Sequence, residues 1–135
     1  MCCYTKSGFT QKELKKLRDS GKTFIIAYKE LPKGATSYGF EYKIGWNKMK
    51  KPVTKYYCRR PQGLHMRPTK NCFSHARKHI VPVKIMINDI VRMGSCYSRF
   101  YSTHLGRPMY NELVANRFFV SRNDWIKANM PLSRR

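Results

Sequence analysis

Three residues in one short segment have a spacing that could hold a metal ion. Cys72, His75 and His79 form a C-x-x-H-x-x-x-H pattern, and residues three or four apart share one face of a helix. Zinc accepts cysteine and histidine ligands, so Cys58 or His65 could complete a tetrahedron. The chain lacks, however, the closely spaced cysteine pair of most zinc signatures. The segment is therefore predicted to be a basic surface helix rather than a zinc site. The sequence predicts no metal and no other cofactor.

Catalysis by cysteine or by carboxylates fits the sequence less well. Cys72 and His75 could act as nucleophile and base, but no local signature of a cysteine protease surrounds them. Several of the seven carboxylates are explained by helix caps, and no pair with divided acid and base roles is evident. His65 follows a turn glycine and is expected to be a structural hydrogen-bonding residue. We therefore predict that the protein is not an enzyme and has no small-molecule substrate.

The elements that position these residues follow from hydrophobic periodicity and capping signals. Thr10 and Glu13 fit a capping box at the start of a first helix, and Ser121 and Asp124 fit one at the start of a last helix. The further predicted elements are strands at Thr23–Leu31, Tyr38–Trp46, Gly63–Arg67, Ile80–Asp89 and Ala115–Val120, and a short helix at Pro68–His79. The first two strands are expected to pair as a hairpin. The sum is an α+β fold with a small, mostly antiparallel sheet and about three short helices.

The length of the chain, 135 residues, fits one folded domain. We predict an N-terminal arm at 1–9, a single α+β domain at 10–128 and a basic C-terminal tail at 129–135. No stretch approaches the roughly 18 apolar residues of a membrane span, and the first residues lack the pattern of a signal peptide. The five cysteines, an odd number, do not suggest a secreted disulfide framework. The protein is thus expected to be made and used without crossing a membrane.

The charge is the most informative property of the composition. There are 28 lysines and arginines against seven aspartates and glutamates, a formal net charge of +21. Such a chain needs an anionic partner, and nucleic acid, an anionic membrane or acidic protein surfaces all qualify.

A basic loop, Asn47–Pro61, interleaves cations with two tyrosines and is the predicted partner-binding segment. Its candidate residues are Lys48, Lys50, Lys51, Lys55, Tyr56, Tyr57, Arg59 and Arg60. The cations could dock on acidic protein faces while the tyrosines fill pockets. They could equally neutralise phosphates while the tyrosines stack on bases.

Four segments in the same order carry a resemblance to a group of viral proteins. They are "YKIGWNK" (Tyr42–Lys48), "GLH" (Gly63–His65), "VPVKIMINDIVRMG" (Val81–Gly94) and "NRFFVSRNDW" (Asn116–Trp125). This pattern resembles small, mostly uncharacterised proteins of large DNA viruses and phages. The resemblance implies a viral origin and a small α+β fold, and it brings no catalytic residues.

With the charge, the resemblance favours a virion structural protein, a minor capsid or cementing protein. Its partners would be viral capsid proteins, and its place the virion, assembled in the host cytoplasm. The alternative is a basic nucleic-acid-binding protein of the genome-packaging or ribosomal kind. A third hypothesis is a small effector that binds a host defence protein.

Overall fold

The computed structural model describes residues 10–37, 39–54, 63–70, 79–96 and 110–132. These residues form two α-helices, nine strands and one 3₁₀ turn. The helices are α1 (Gln11–Asp19) and α2 (Arg122–Lys127), and the 3₁₀ turn is Ile87–Asp89. The strands are β1 (Phe24–Glu30), β2 (Thr36–Ser37), β3 (Phe40–Glu41), β4 (Gly45–Lys48), β5 (Leu64–Met66), β6 (Ile80–Met86), β7 (Ile90–Cys96), β8 (Tyr110–Ala115) and β9 (Arg117–Val120).

A long antiparallel hairpin, bent in the middle, organises the fold. The 3₁₀ turn separates β6 from β7, and the single residue Asn116 separates β8 from β9. Ile90 of β7 lies opposite Ala115 of β8, and Lys84 of β6 lies opposite Phe119 of β9. Across the bend, the Asn116 amide donates to the Asp89 carbonyl at 2.9 Å. Because the hairpin bends here, its two halves belong to two different sheets.

The two main sheets are antiparallel and share the bent hairpin. One has four strands in the order β1-β6-β9-β4, and the other has three in the order β5-β8-β7, while β2 and β3 form a short ladder of their own. Tyr28 of β1 and Arg67, just after β5, exchange two backbone hydrogen bonds of 2.8 Å and so join the two sheets. The predicted combination of helices with antiparallel strands is confirmed, but the expected single sheet is wrong because the hairpin bends.

The expected number of helices is not matched among the described residues, which contain two. The predicted third helix, at Pro68–His79, falls largely on 71–78, outside the described residues. Both predicted N-caps are confirmed. The Thr10 hydroxyl accepts from the Glu13 amide at 2.9 Å, and the Ser121 hydroxyl accepts from the Asp124 amide at 3.1 Å.

The predicted pairing of the first two strands is wrong. β1 pairs along its whole length with β6, from Phe24 opposite Met86 to Glu30 opposite Ile80. The Asn47 side chain explains why the second predicted strand breaks into β3 and β4. It accepts from the Lys43 amide at 2.8 Å and donates to the Lys43 carbonyl at 2.9 Å. A side chain that takes over backbone hydrogen bonds in this way competes with the strand ladder.

One hydrophobic core contains buried residues of both main sheets and of both helices. The alternation of β6 is confirmed, since Val81, Val83 and Ile85 are all buried. Phe118 of β9 is fully buried among them, and Trp125 of α2 is also buried, with its indole N–H donating to the Pro131 carbonyl at 2.8 Å. Burial of large apolar side chains is the main stabilising term of such a fold.

The described chain therefore packs on the core as far as Pro131, and Met130 is buried. Within the described residues, neither helix has the length and apolar character needed to cross a membrane.

Candidate functional site

The predicted basic loop is described only in its first part. Lys48 is the last residue of β4, and Lys50 and Lys51 follow it, all three with exposed side chains. The other candidate residues lie outside the described residues; they are Lys55, Tyr56, Tyr57, Arg59 and Arg60. The structure thus places Lys48 on the outer side of the four-stranded sheet, and the role of the remaining loop stays a prediction.

The residues considered as metal ligands are likewise only partly described. Cys58, Cys72 and His75 lie outside the described residues. The part of the chain that is described holds no group of three histidine, cysteine or carboxylate side chains able to bind a metal ion. The Nδ1 atom of His79 lies 2.8 Å from the Ala128 carbonyl oxygen. Because a carbonyl oxygen can only accept, Nδ1 is the donor of this hydrogen bond. His65 makes a hydrogen bond to Glu112, in keeping with a structural role.

Seven side chains on the outer side of the four-stranded sheet form a continuous surface, named here the aromatic face. Ile26, Lys84, Phe119 and Trp46 make one row, because each lies opposite the next on neighbouring strands. The name is used for Phe24, Ile26, Trp46, Lys48, Lys84, Arg117 and Phe119, and the half-buried Met86, opposite Phe24, borders them. Neighbouring strands are ~4.8 Å apart, so a row across four strands spans about 14 Å.

The apolar side chains of the aromatic face are unusually open to solvent. Phe24 is 42% exposed, Ile26 50% and Trp46 39%. Trp46 packs edge-on against Phe119, with ring centroids 5.3 Å apart and ring planes at 63°. Scattered exposed apolar residues need no explanation, but a contiguous patch indicates an interaction site.

Cations lie directly over the rings of this face. The Lys84 ammonium is 4.4 Å from the centroid of the Phe24 ring. The Arg117 guanidinium is 4.4 Å from the centroid of the Trp46 ring, and its Nε donates to the Asp89 carboxylate at 2.8 Å. Cations at this distance are attracted to the electron-rich ring faces. The aromatic face is therefore at once apolar and positively charged.

The aromatic face was not predicted from the sequence. The run from Phe24 to Tyr28 is apolar at nearly every position, which predicts a core strand. In the structure Ala27 is buried while its neighbour Ile26 is exposed, so only one side of β1 is covered. The available signal was the pairing of aromatic residues with cations at alternating positions, as in Trp46 and Lys48.

A second group of charges is buried around Glu112. This carboxylate is 2% exposed, lies on β8, and is hydrogen-bonded to His65 of β5. It also attracts the ammonium group of Lys29 on β1. A buried carboxylate is tolerated only when donors or cations surround it. Glu112 and His65 therefore belong to the three-stranded sheet and are not part of the aromatic face.

Lys29 is the most perturbed titratable group among the described residues. Burial lowers its pKa from 10.5 to about 8, while Glu30 and Glu112 act to raise that pKa and Arg67 lowers it further. The ammonium lies 5.4 Å from the centroid of the Tyr42 ring, and burial raises the pKa of Tyr42. Desolvation disfavours the charged form of each group, which is why a lysine and a tyrosine shift in opposite directions.

Comparisons of this chain with protein-family models, with curated proteins and with solved structures found no match.

Proposed function

We propose that the protein binds single-stranded nucleic acid through the aromatic face. The observation that carries the proposal is the placement of cations over exposed rings on one side of a four-stranded sheet. Exposed aromatic rings stack on bases, and neighbouring lysines and arginines neutralise phosphates. Four-stranded sheets that present aromatic side chains stack roughly two or three bases, which suits a row of about 14 Å. The formal charge of +21 adds long-range attraction to any polyanion.

The composition of the face favours nucleic acid over a protein partner. The fully buried centre of a protein interface is depleted in lysine. Here Lys84 lies in the middle of the row, with Ile26 on one side and Phe119 on the other. Burying that ammonium against an apolar protein surface would be costly, whereas a phosphate would pair with it.

The exposure of the rings favours a single strand over a duplex. Trp46 and Phe24 present aromatic surface on a broad sheet rather than on a projecting helix. In a duplex the bases are already stacked on each other, so rings of this kind reach them only when the strand is open. Stacking on aromatic side chains tolerates any base, so this mode of binding gives affinity with little sequence preference.

The minor capsid or cementing role stays a prediction, as do the viral partners and the virion location. Five of the eight residues on which that role depended lie outside the described residues. A protein partner for the aromatic face is the alternative that the binding experiment distinguishes.

The test is the affinity for a labelled single-stranded RNA of about 12 nucleotides, measured by fluorescence anisotropy at about 150 mM salt, a near-physiological ionic strength. Trp46→Ala should weaken binding by roughly 5- to 150-fold, because one base–aromatic stack contributes about 1–3 kcal/mol. Ile126→Ala is the matched control, since Ile126 is 44% exposed but lies on α2, outside the aromatic face. The same strand as DNA, and the RNA duplex, are compared in parallel.

The salt dependence alone does not decide the matter, because a chain of charge +21 binds polyanions non-specifically. The deciding comparison is therefore between the two apolar variants. Equal affinities of Trp46→Ala and Ile126→Ala would refute the proposal, as would tighter binding of the duplex than of the single strand. Failure of the wild-type protein to bind, together with formation of a stable complex with another protein through Trp46, would favour the capsid hypothesis instead.

A further inference from the structure

Arg117 is the most restrained cation of the aromatic face. Its Nε donates to the Asp89 carboxylate, and its guanidinium lies over the Trp46 ring, yet its side chain is still 37% exposed. Within the described part of the chain, Asp89 is the one hydrogen-bond partner of this guanidinium. The donors of the two terminal Nη groups are therefore left for a ligand.

The carboxylate that holds Arg117 is itself fixed by the bend of the hairpin. Asp89 ends the 3₁₀ turn, and its carbonyl accepts from the Asn116 amide at 2.9 Å. Asn116 in turn accepts from the Val53 amide at 2.7 Å through its side chain and donates to the Val53 carbonyl at 3.0 Å. The fork of Arg117 is thus held in place before any ligand binds, and little conformational entropy is lost when it makes hydrogen bonds.

We propose that Arg117 makes the aromatic face prefer guanine at one position of the bound strand, an inference that rests on the proposed function. A base that stacks on the aromatic face beside Arg117 would have its edge next to the edge of the guanidinium. Guanine offers two adjacent acceptors, O6 and N7, which match the two donors of an arginine fork. Adenine offers a donor beside its N7 acceptor, and uracil alternates acceptors with a donor, so neither completes the pair. Cytosine also has two adjacent acceptors, N3 and O2, and is the competitor to be tested.

The ion pair with Asp89 argues against a simple phosphate contact for Arg117. A phosphate needs positive charge, and the carboxylate at 2.8 Å neutralises much of the charge of this guanidinium. Lys48, directly opposite Arg117 on β4, is exposed and supplies charge at the same place. The division of labour is therefore a phosphate contact from Lys48 and a base contact from Arg117.

The test uses labelled uridine oligomers of about nine nucleotides, within the usual site size, that differ only in one central base. We expect the wild-type protein to bind the guanine oligomer roughly 5- to 150-fold more tightly than the all-uridine oligomer, the usual discrimination of a bidentate pair. Arg117→Lys keeps the charge but loses the fork, so it should bind all-uridine RNA within about twofold of wild type and lose the preference for guanine. Asp89→Ala, which removes the acceptor of the Arg117 Nε–H and so releases the fork, should reduce the same preference. Lys48→Ala, the control, should weaken all four oligomers by the same factor.

The two proposals fail in different ways. If binding depends on Trp46 but the four oligomers bind equally, the guanine preference is refuted and the stacking surface stands. The guanine preference is also refuted if cytosine is preferred, or if Arg117→Lys binds the guanine oligomer with the full wild-type preference. If binding does not depend on Trp46, the proposed function itself fails.

Discussion

Replacing Lys29 with methionine should stabilise the protein at neutral pH. The pKa of Lys29 is lowered from 10.5 to about 8, chiefly by burial. Each pKa unit corresponds to about 1.4 kcal/mol, so keeping this ammonium charged in the folded state costs about 3 kcal/mol at pH 7. Methionine has a similar length and no charge to desolvate. Part of the gain is offset, because Glu112 loses a neighbouring cation.

The pH dependence gives the sharper signature. Because the folded-state pKa is the lower one, the unfolded chain binds more protons between about pH 8 and 10.5, and wild-type stability rises with pH in that window. The cost should fall from about 3 kcal/mol at pH 7 to about 1 kcal/mol at pH 10. Lys29→Met lacks this contribution, so its advantage over wild type should shrink by about 2 kcal/mol across the same range. Above about pH 10 the comparison ends, because ionisation of the buried Tyr42 then favours unfolding.

The assay is equilibrium unfolding in urea, followed by far-ultraviolet circular dichroism at constant ionic strength. The difference between variant and wild type at each pH cancels the titration of groups that do not interact with Lys29. Lys12→Met, on the exposed side of α1, is the control and should track wild type at every pH. A variant less stable than wild type at pH 7, or a difference that does not change between about pH 7 and 10, would show that Lys29 is not desolvated as argued.

Substitutions at three further positions test the packing of the fold by the same unfolding measurement, and Gly21→Ala serves as a control for the first. Gly63→Ala should lower the free energy of unfolding by about 1–3 kcal/mol or more from backbone strain. Its φ is +95°, and the new methyl would lie 2.7 Å from a Val114 methyl. Gly21→Ala should lower it less, because Gly21 has φ +82° but open space around it. Phe118→Ala should lose about 3–5 kcal/mol, since this ring is fully buried, and a loss below about 1 kcal/mol would contradict its place in the core. Thr10→Ala should lose about 1 kcal/mol, since its hydroxyl caps α1, and an unchanged midpoint would argue against the cap.

The sequence predicted those helices and strands that depend on neighbouring residues, such as an apolar alternation or a helix cap. The alternation of Val81, Val83 and Ile85 fixed one face of β6, and the caps at Thr10 and Ser121 fixed the starts of the two helices. Strand pairing could not be predicted in the same way, because it depends on segments far apart in the chain. β1 pairs with β6, more than fifty residues later, and no nearby residue signals that choice.

The aromatic face could not be predicted from the sequence for a related reason. Whether an apolar side chain is exposed depends on which element covers it, and Phe24 and Ile26 stay open because the described helices pack on the other residues of the core. The bend that brings Asp89 to Arg117 arises from Asn116, whose backbone and side chain bond to two distant segments. Of the residues predicted to bind a partner, Lys48 belongs to the aromatic face. Its charge was the only property in the sequence that indicated a role in binding.

The position of β4 at the end of the four-stranded sheet has a consequence for solubility. An end strand beside a surface rich in exposed rings invites a second copy to add by backbone pairing, which is how aggregation begins. β4 is only four residues long, starts at a glycine with φ +98° and carries the exposed Lys48. The Asn47 side-chain amide also donates to the Gly45 carbonyl at 3.2 Å and so occupies a backbone acceptor of β4 itself. These features let the protein present an aromatic surface at the border of a sheet without offering that border to another chain.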